Sequence, residues 1–494
     1  MYNIITKYLT LNLIFFIILY SKGNTISIFK DKYTGQYIEC KETKEINSGI
    51  LVDNIIYFSK KNIFYKRIYK YLTPEMFGAK GDGKTDDYQA IQNMLNKGET
   101  GCTFYFDGKK TYYNAFANKG VWIEPLKRNI WQRHKSAKFL FNGAKLRRRL
   151  PEWNDKNLKG NYNEGKYYTD DHTALLYLTG DNYIIDNADF NSGLKLGNLL
   201  DTSEKPTGVM DYAVGTCMEM GLWLDHCNDV IITNSQFTNS VFPVYVTDSN
   251  NLKFYNLILK YAAQANRRIN PNDPAIGGGI KLMNSSDVLL DNVYGYRNLN
   301  DTIEIETLNK NISVNGKSDY DYDNSMVIIS SQNIKIDWEA NNVVHGTGLL
   351  IIGANNELAT QNITGRIKVN NTAWCGVLVW LYKDTNSNIE NINLDISTSN
   401  TNFSGLYINN ESANYVIKNI KIKHQSSNDG TGTGTARIIN NSVEGYLYGT
   451  TSKTNTALKV NGKSSKKPIS TKIEVTKDVK LKYNIEKSAT LKIL

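Results

Sequence analysis

Proline is scarce in this chain of 494 residues, at 8 positions, and glycine is ordinary at 36. Collagen-like repeats and Pro-rich linkers are therefore excluded. Cysteine is also sparse: Cys40, Cys102, Cys217, Cys227 and Cys375 include no CxxC pair. That rules out a disulfide framework and a thiolate zinc site, and no compact Asp cluster for Ca²⁺ is evident, so no metal and no cofactor is expected. Cys217 and Cys227 would bridge only if their strands were adjacent; a buried free thiol is the alternative. Hydrophobic residues at 41% and charged residues at 21% exclude a membrane-embedded or disordered chain. The net charge is +10, yet no helix-turn-helix, zinc-finger or RNA-binding signature accompanies it. Much of the excess lies in Lys60–Lys70 and Lys453–Lys492, which reads as solvated surface.

What is plentiful is Tyr, at 32, with Asn, Ile, Lys and Thr. Ile and Tyr suit strands, and Asn suits turns that visit the left-handed backbone region. The length exceeds one compact core and falls short of three, a limit that a solenoid escapes by stacking repeats. At the N-terminus, Lys7 precedes an apolar run from Leu9 to Tyr20, followed by Ser21-Lys22-Gly23. This has the form of a secretory signal peptide over 1–23, removed on export; an apolar anchor into a larger assembly is the alternative. Residues 24–72 read as a hairpin-rich leader, 73–450 as the main domain and 451–494 as a basic C-terminal segment.

From about Thr173 an internal repeat sets the fold. Its strand openings include Leu175-Leu176-Tyr177-Leu178, Gly221-Leu222-Trp223-Leu224, Val244-Tyr245-Val246, Gly279-Ile280-Lys281-Leu282, Ile303-Glu304-Ile305 and Gly405-Leu406-Tyr407-Ile408. Most are followed by an Asn/Asp/Ser turn, a second strand such as Asp287-Val288-Leu289-Leu290, and a third such as Asn292-Val293-Tyr294. Three short strands recurring about every 20–45 residues predict an all-β, right-handed, single-stranded parallel β-helix. A set of sandwiches would need Asn-Gly hairpin turns, which are scarce.

The run Thr73-Pro74-Glu75-Met76-Phe77-Gly78-Ala79-Lys80-Gly81-Asp82-Gly83-Lys84-Thr85-Asp86-Asp87, with Ala90-Ile91-Gln92 after it, resembles the opening of the pectate lyase superfamily. That superfamily contains polygalacturonase-like enzymes and phage tailspike depolymerases. The resemblance spans about residues 73–450 and implies a parallel β-helix whose N-terminal end is closed by a short α-helix. Local chemistry agrees: Asp86 or Asp87 suits a helix N-cap, and Ala90, Ile91, Met94 and Leu95 form one apolar face. The glycines lack the GxxxxGK[ST] order of a phosphate loop. The leader, with Phe64-Tyr65-Lys66-Arg67-Ile68 before Thr73-Pro74, also resembles that of phage-borne members.

Equivalent positions in successive coils lie ~4.8 Å apart, so outward residues form ladders. One is Trp223, Tyr245, Lys281, Glu304; the next is Asp225, Thr247, Met283, Glu306. Asp301 opens the Glu304 strand and Glu219 precedes Trp223. Flat aromatics stack on pyranose faces and carboxylates move protons, so this mixture suits a sugar site. Solvent-facing charge without function is the plain alternative. Arg267 and Arg268 lie in the insertion between Ala262 and Gly277 and suit an acidic sugar, a solvated loop being the equal alternative. Against the polygalacturonase motifs, Asn300-Asp301-Thr302-Ile303-Glu304-Ile305 resembles a GDD-type opening, with Asn300 in place of the first aspartate. Gly277-Gly278-Gly279 stands where an NTD is expected. His345-Gly346 and Arg366-Ile367-Lys368 resemble the remaining motifs at the wrong strand or coil, so polygalacturonase chemistry is not supported. His226 beside Asp225 is an acid–base option or a hydrogen-bonded turn residue.

The expectation is an extracellular protein that degrades a polysaccharide, as hydrolase or lyase. Asp301 and Glu304 are its best carboxylates, with Glu306, Asp225 and Glu219 in reserve. Trp223, Tyr245, Lys281, Arg267 and Arg268 are the expected binding residues. A phage tailspike in a virion tail, expected as a homotrimer, or a non-catalytic glycan-binding adhesin is the alternative.

Overall fold

The computed structural model describes residues 25–44, 52–115, 117–118, 121–122, 130–133, 136–149, 172–193, 218–262, 277–353, 358–441, 443–454 and 456–461, with short strands at 474–475, 482–485 and 492–493. The apolar run at 9–20, Cys217, Arg267 and Arg268 lie outside the described residues. Cys40, Cys102, Cys227 and Cys375 are free thiols.

Strands β1 (Ile26–Lys30), β2 (Tyr37–Glu42), β3 (Tyr57–Lys60) and β4 (Ile63–Arg67) form an antiparallel sheet in the order β1-β2-β4-β3. One face buries Cys40, Phe58 and Tyr65 against Phe29 and Ile38. After it comes α1 (Tyr88–Lys97), whose Ala90, Ile91, Met94 and Leu95 are buried in the same core as the coils. Asp87 stands at the N-cap position, where its carbonyl accepts from the Ile91 amide at 3.0 Å but its side chain does not cap the helix. Its carboxylate turns back instead and accepts hydrogen bonds from the Lys80 and Gly81 amides at 2.7 and 3.1 Å. The glycine loop presents those two donors, and a buried carboxylate is held best where most N–H groups converge.

The rest is a stack of parallel strands in three ladders. Coil follows coil in register, with bulges at places such as Leu290–Val293: Leu222 pairs Val244, Val244 pairs Ile280 and Ile280 pairs Ile303 in the first ladder. In the second, Leu252 pairs Val288 and Val288 pairs Ile312. In the third, Phe237 pairs Leu259. All of these side chains are buried in one continuous core. Each such aliphatic chain contributes roughly 1.5–3 kcal/mol by leaving water.

The corners explain the abundance of asparagine. Asn311, Asn333, Asn362, Asn391 and Asn419 all adopt φ between 55° and 59°. Each amide donates to the one before it: Asn333 to Asn311 at 2.9 Å, Asn362 to Asn333 at 2.8 Å, Asn391 to Asn362 at 2.8 Å. Asn tolerates this left-handed conformation better than other side chains, and the stacked amides bond along the solenoid axis.

Candidate functional site

The site is built where the turn from the third ladder enters the first. Register places Trp223 beside Tyr245, Tyr245 beside Lys281 and Lys281 beside Glu304. It also places Asp225 beside Thr247, Thr247 beside Met283 and Met283 beside Glu306. The structure departs from sequence expectation in exposure. Alternation predicts solvent-facing side chains here, yet Glu304 is 2% exposed, Asp301 4% and Tyr245 6%. The outer face is covered because a second apolar cluster forms on it. Ala174, Met220, Val241, Phe242 and Tyr245 pack with Tyr177, Trp223 and Met283 outside the coil.

Lys281 holds the charge cluster together. Its Nζ lies 3.1 Å from Glu304 Oε2 and 2.6 Å from Glu306 Oε2. The same nitrogen sits 5.4 Å from the Phe242 ring centroid, a cation–π contact. Burial opposes a charge on Lys281, but the two carboxylates more than offset it and raise its pKa. Burial raises Asp301 well above the usual carboxylate range, with the Glu304 and Asp323 charges adding to the shift. Glu304 is raised by burial and held in check by Lys281 and by the Asn300 amide, which donates to Oε1 at 3.1 Å. A carboxyl raised by burial thus stands beside a second carboxylate that is paired to a cation.

The glycine triad has a physical role here. A Cβ on Gly278 would stand 2.3 Å from Glu304 Oε1 and 3.0 Å from the Asp301 carbonyl oxygen. Residues that replace the expected NTD thus make the space the Glu304 carboxylate fills.

The aromatic side is continuous: Tyr177 lies 4.4 Å from Trp223, Trp223 6.2 Å from Tyr245, and Tyr245 5.2 Å from Phe242 between ring centroids. Trp223 Nε1 donates to Thr247 Oγ1 at 3.0 Å, and Thr247 Oγ1 donates to Asp225 Oδ1 at 2.7 Å. Asp225 also accepts from the Tyr177 hydroxyl at 2.7 Å and pairs with His226 Nδ1 at 2.9 Å. Asp225 is therefore a structural acceptor that fixes the aromatic rings. Among the described residues, Asp225, His226 and Asp248 are the one group with metal-ligand atoms within 4.8 Å of one another. The Asp225 oxygens in it are already engaged by hydroxyls. Glu219 lies in the strand Met218–Thr233, and its side chain is outside what is described.

No family model matches the sequence. A capsule-specific depolymerase of a Klebsiella phage is 52% identical over 40 residues, which is 8% of this chain and 5% of that protein. Solved structures similar to this chain are parallel β-helix proteins. An exopolygalacturonase of Thermotoga maritima has a TM-score of 0.46 at 12% identity, over 86% of this chain and 90% of its own. Tailspike protein 2 of an Escherichia coli O157:H7 bacteriophage scores 0.45 at 12%, over 89% and 53%. The A-module of an Azotobacter vinelandii mannuronan C-5 epimerase scores 0.44 at 12%, over 85% and 98%.

Asn324 and Asp321 escape sequence reading, and His345 is legible only as a motif at the wrong coil. Asn324 donates its backbone N–H to Asp301 Oδ1 at 3.1 Å and accepts from the Thr347 amide at 3.0 Å. Asp321 is fully buried below them, receives the Thr302 hydroxyl, and is pushed up to about 7 by burial. His345 Nδ1 is 3.9 Å from Asp323 Oδ1 and stacks on Tyr322 at 5.5 Å. The His345-Gly346 dipeptide therefore borders the cluster although it lies two coils from Lys281. Arg366 and Lys368 do not: they pair with Asp337 and Glu339 on the opposite side of the coil. The usable signal was turn spacing, because 297–300, 320–325 and 344–348 all end just before first-ladder strands.

Proposed function

We propose that this chain is a polysaccharide-degrading enzyme that hydrolyses a glycan on the outer face of the first ladder. The observation that carries the reading is the cluster of buried Asp301 and Glu304 with half-buried Glu306, bridged by Lys281 and flanked by Tyr177, Trp223 and Tyr245. In it, Asp301 is the general acid, kept protonated by burial, and Glu304 and Glu306 are the carboxylates that pair with Lys281. Trp223, half-buried at the edge, is the stacking surface for a sugar ring. The short identity with a phage capsule depolymerase supports a capsular or similar glycan as substrate. It also supports an extracellular or virion-tail setting, with a homotrimer as the assembly in the latter. The solenoid is right-handed in this reading, and α1 closes its N-terminal end, where an open core would otherwise meet water.

Incubation with capsular, acidic and neutral polysaccharides tests the activity, reading both reducing ends and the absorbance of unsaturated uronate. Asp301→Asn is expected to lower turnover by ~10²–10⁴, and Trp223→Ala to weaken binding with less effect on turnover. Full turnover in both Asp301→Asn and Glu304→Gln, with the fold intact, moves the site elsewhere. A second reading, a glycan-binding protein without catalysis, is favoured by the burial of Asp301 and Glu304, which keeps their oxygens from solvent. Binding without release of reducing ends or unsaturated uronate from any polymer selects it.

A further inference from the structure

The corner that ends the third ladder repeats a single stereochemical requirement. Asn239, Asn342, Asn371, Asn400 and Asn428 occupy it with φ between 55° and 62°. Their amides bond along the stack, Asn371 to Asn342 at 2.9 Å and Asn428 to Asn400 at 2.7 Å. In three consecutive coils the asparagine is replaced. Lys260 pairs Tyr296 and Tyr296 pairs Asp319, so the corner residues that follow, Tyr261, Arg297 and Tyr320, stack on one another. They hold φ of 58°, 52° and 61°, a region that bulky side chains rarely adopt. Strain of this kind persists where surrounding structure over-determines it, and it concentrates at ligand sites.

The strained corner supports an aromatic and cationic surface. The Arg297 guanidinium carbon lies 5.4 Å from the Tyr296 ring centroid and 5.6 Å from that of Tyr320. Tyr261 and Tyr320 stand edge-on to Tyr296 at 5.9 and 6.1 Å. Lys260 lies 5.9 Å from the Tyr296 ring, and Lys317 is 5.5 Å from that of Tyr294. None of these three cations forms an ion pair with a carboxylate among the described residues. Two acids share this face: Glu339 stands in register beside Lys317, which helps to hold its pKa down, and Asp319 adds to burial in opposing ionisation of the Tyr294 hydroxyl. The chain runs directly from Arg297 through Asn298 and Asn300 to Asp301. Asn298 ties that turn down by donating to Thr302 Oγ1 at 2.7 Å.

We infer that Tyr296, Arg297 and Tyr320, with Lys260 and Lys317, form a binding subsite for a carboxylate-bearing pyranose of an anionic polysaccharide. A planar guanidinium fixed between rings presents its N–H edge to a carboxylate in bidentate geometry, while tyrosine faces accept the sugar ring. This deepens the proposed function by naming an acidic glycan, and it rests on that reading for the adjoining cluster.

The test uses the full chain, with sodium polygalacturonate and sodium alginate as two uronate polymers and dextran as the neutral control, in affinity electrophoresis and calorimetric titration. The wild type is expected to bind a uronate polymer, more weakly as salt rises, and to ignore dextran. Arg297→Asn, which restores the asparagine of the corner, is expected to weaken that binding roughly tenfold, the loss of one desolvated charge contact. It is also expected to keep or raise the melting temperature, because the substitution relieves left-handed strain. A merely structural arginine would instead lower the melting temperature and leave affinity unchanged in the folded fraction, which overturns the inference. Failure of the wild type to bind either uronate polymer, or equal binding of dextran, also overturns it. Binding that depends on Arg297 without any turnover sinks the catalytic reading alone.

Discussion

Replacing Lys281 with Met separates the charge cluster into its parts. Lys281 is 15% exposed, between Glu304 at 3% and Glu306 at 28% side-chain exposure. Removing one partner of a fully buried ion pair costs about 3–5 kcal/mol, because the remaining charge stays in low dielectric. The Glu304 arm is of this kind. The Glu306 arm is partly solvated and adds about 0–1 kcal/mol. Met keeps most of the packing on Phe242, so the loss at pH 7 should be about 3–4 kcal/mol by this reasoning. The sign with pH follows from Glu304. Without Lys281 its folded pKa rises further above the unfolded value, so its destabilising effect is absent below that unfolded value. It grows as pH rises above that unfolded value. Urea unfolding at pH 4 and pH 7, followed by tryptophan fluorescence, measures this. The loss at pH 4 should shrink to about 1 kcal/mol, the packing difference alone. Adding Glu304→Gln to the same chain should restore most of the stability at pH 7, since no buried charge is then left unpaired. An equal loss at both pH values, or one below about 1 kcal/mol at pH 7, would refute the argument that Lys281 compensates buried carboxylates.

Gly278→Ala should cost about 1–3 kcal/mol through overpacking and should displace Glu304, because the new methyl would meet its carboxylate oxygen. A melting temperature and turnover equal to the wild type would contradict this. Asp321 is raised from 3.8 to about 7, so the stability it contributes is full below pH 4 and is lost as pH rises towards 7. Over that span of about three pKa units the loss is about 4 kcal/mol. Asp321→Asn should flatten the decline in unfolding free energy between pH 4 and 7; an unchanged slope means that another group causes it.

The sequence by itself determined the repeat. Alternating aliphatics such as Ile280 and Leu282, or Ile303 and Ile305, have one inward face whatever the rest of the chain does. Asparagine at the corners follows from a backbone requirement that few other residues meet. The in-register ladder of Trp223, Tyr245, Lys281 and Glu304 was legible for the same reason, since strand period and coil stacking place those positions side by side. Their burial was not legible. Period two tells inside from outside, but only three-dimensional packing decides whether the outside is covered. Here Met220, Val241 and Phe242 pack with Tyr245 on the outer face, Phe242 lies against Lys281, and Glu304 is buried against Gly278 with a raised pKa. Asn324 and Asp321 were hidden, and His345 was legible only as a displaced motif, because turns carry no period and their contacts with Asp301, Thr302 and Asp323 depend on how successive corners stack. Tyr261, Arg297 and Tyr320 look like ordinary surface residues in the sequence. Only the aligned coils place them where asparagine belongs, and only the backbone shows the strain they bear.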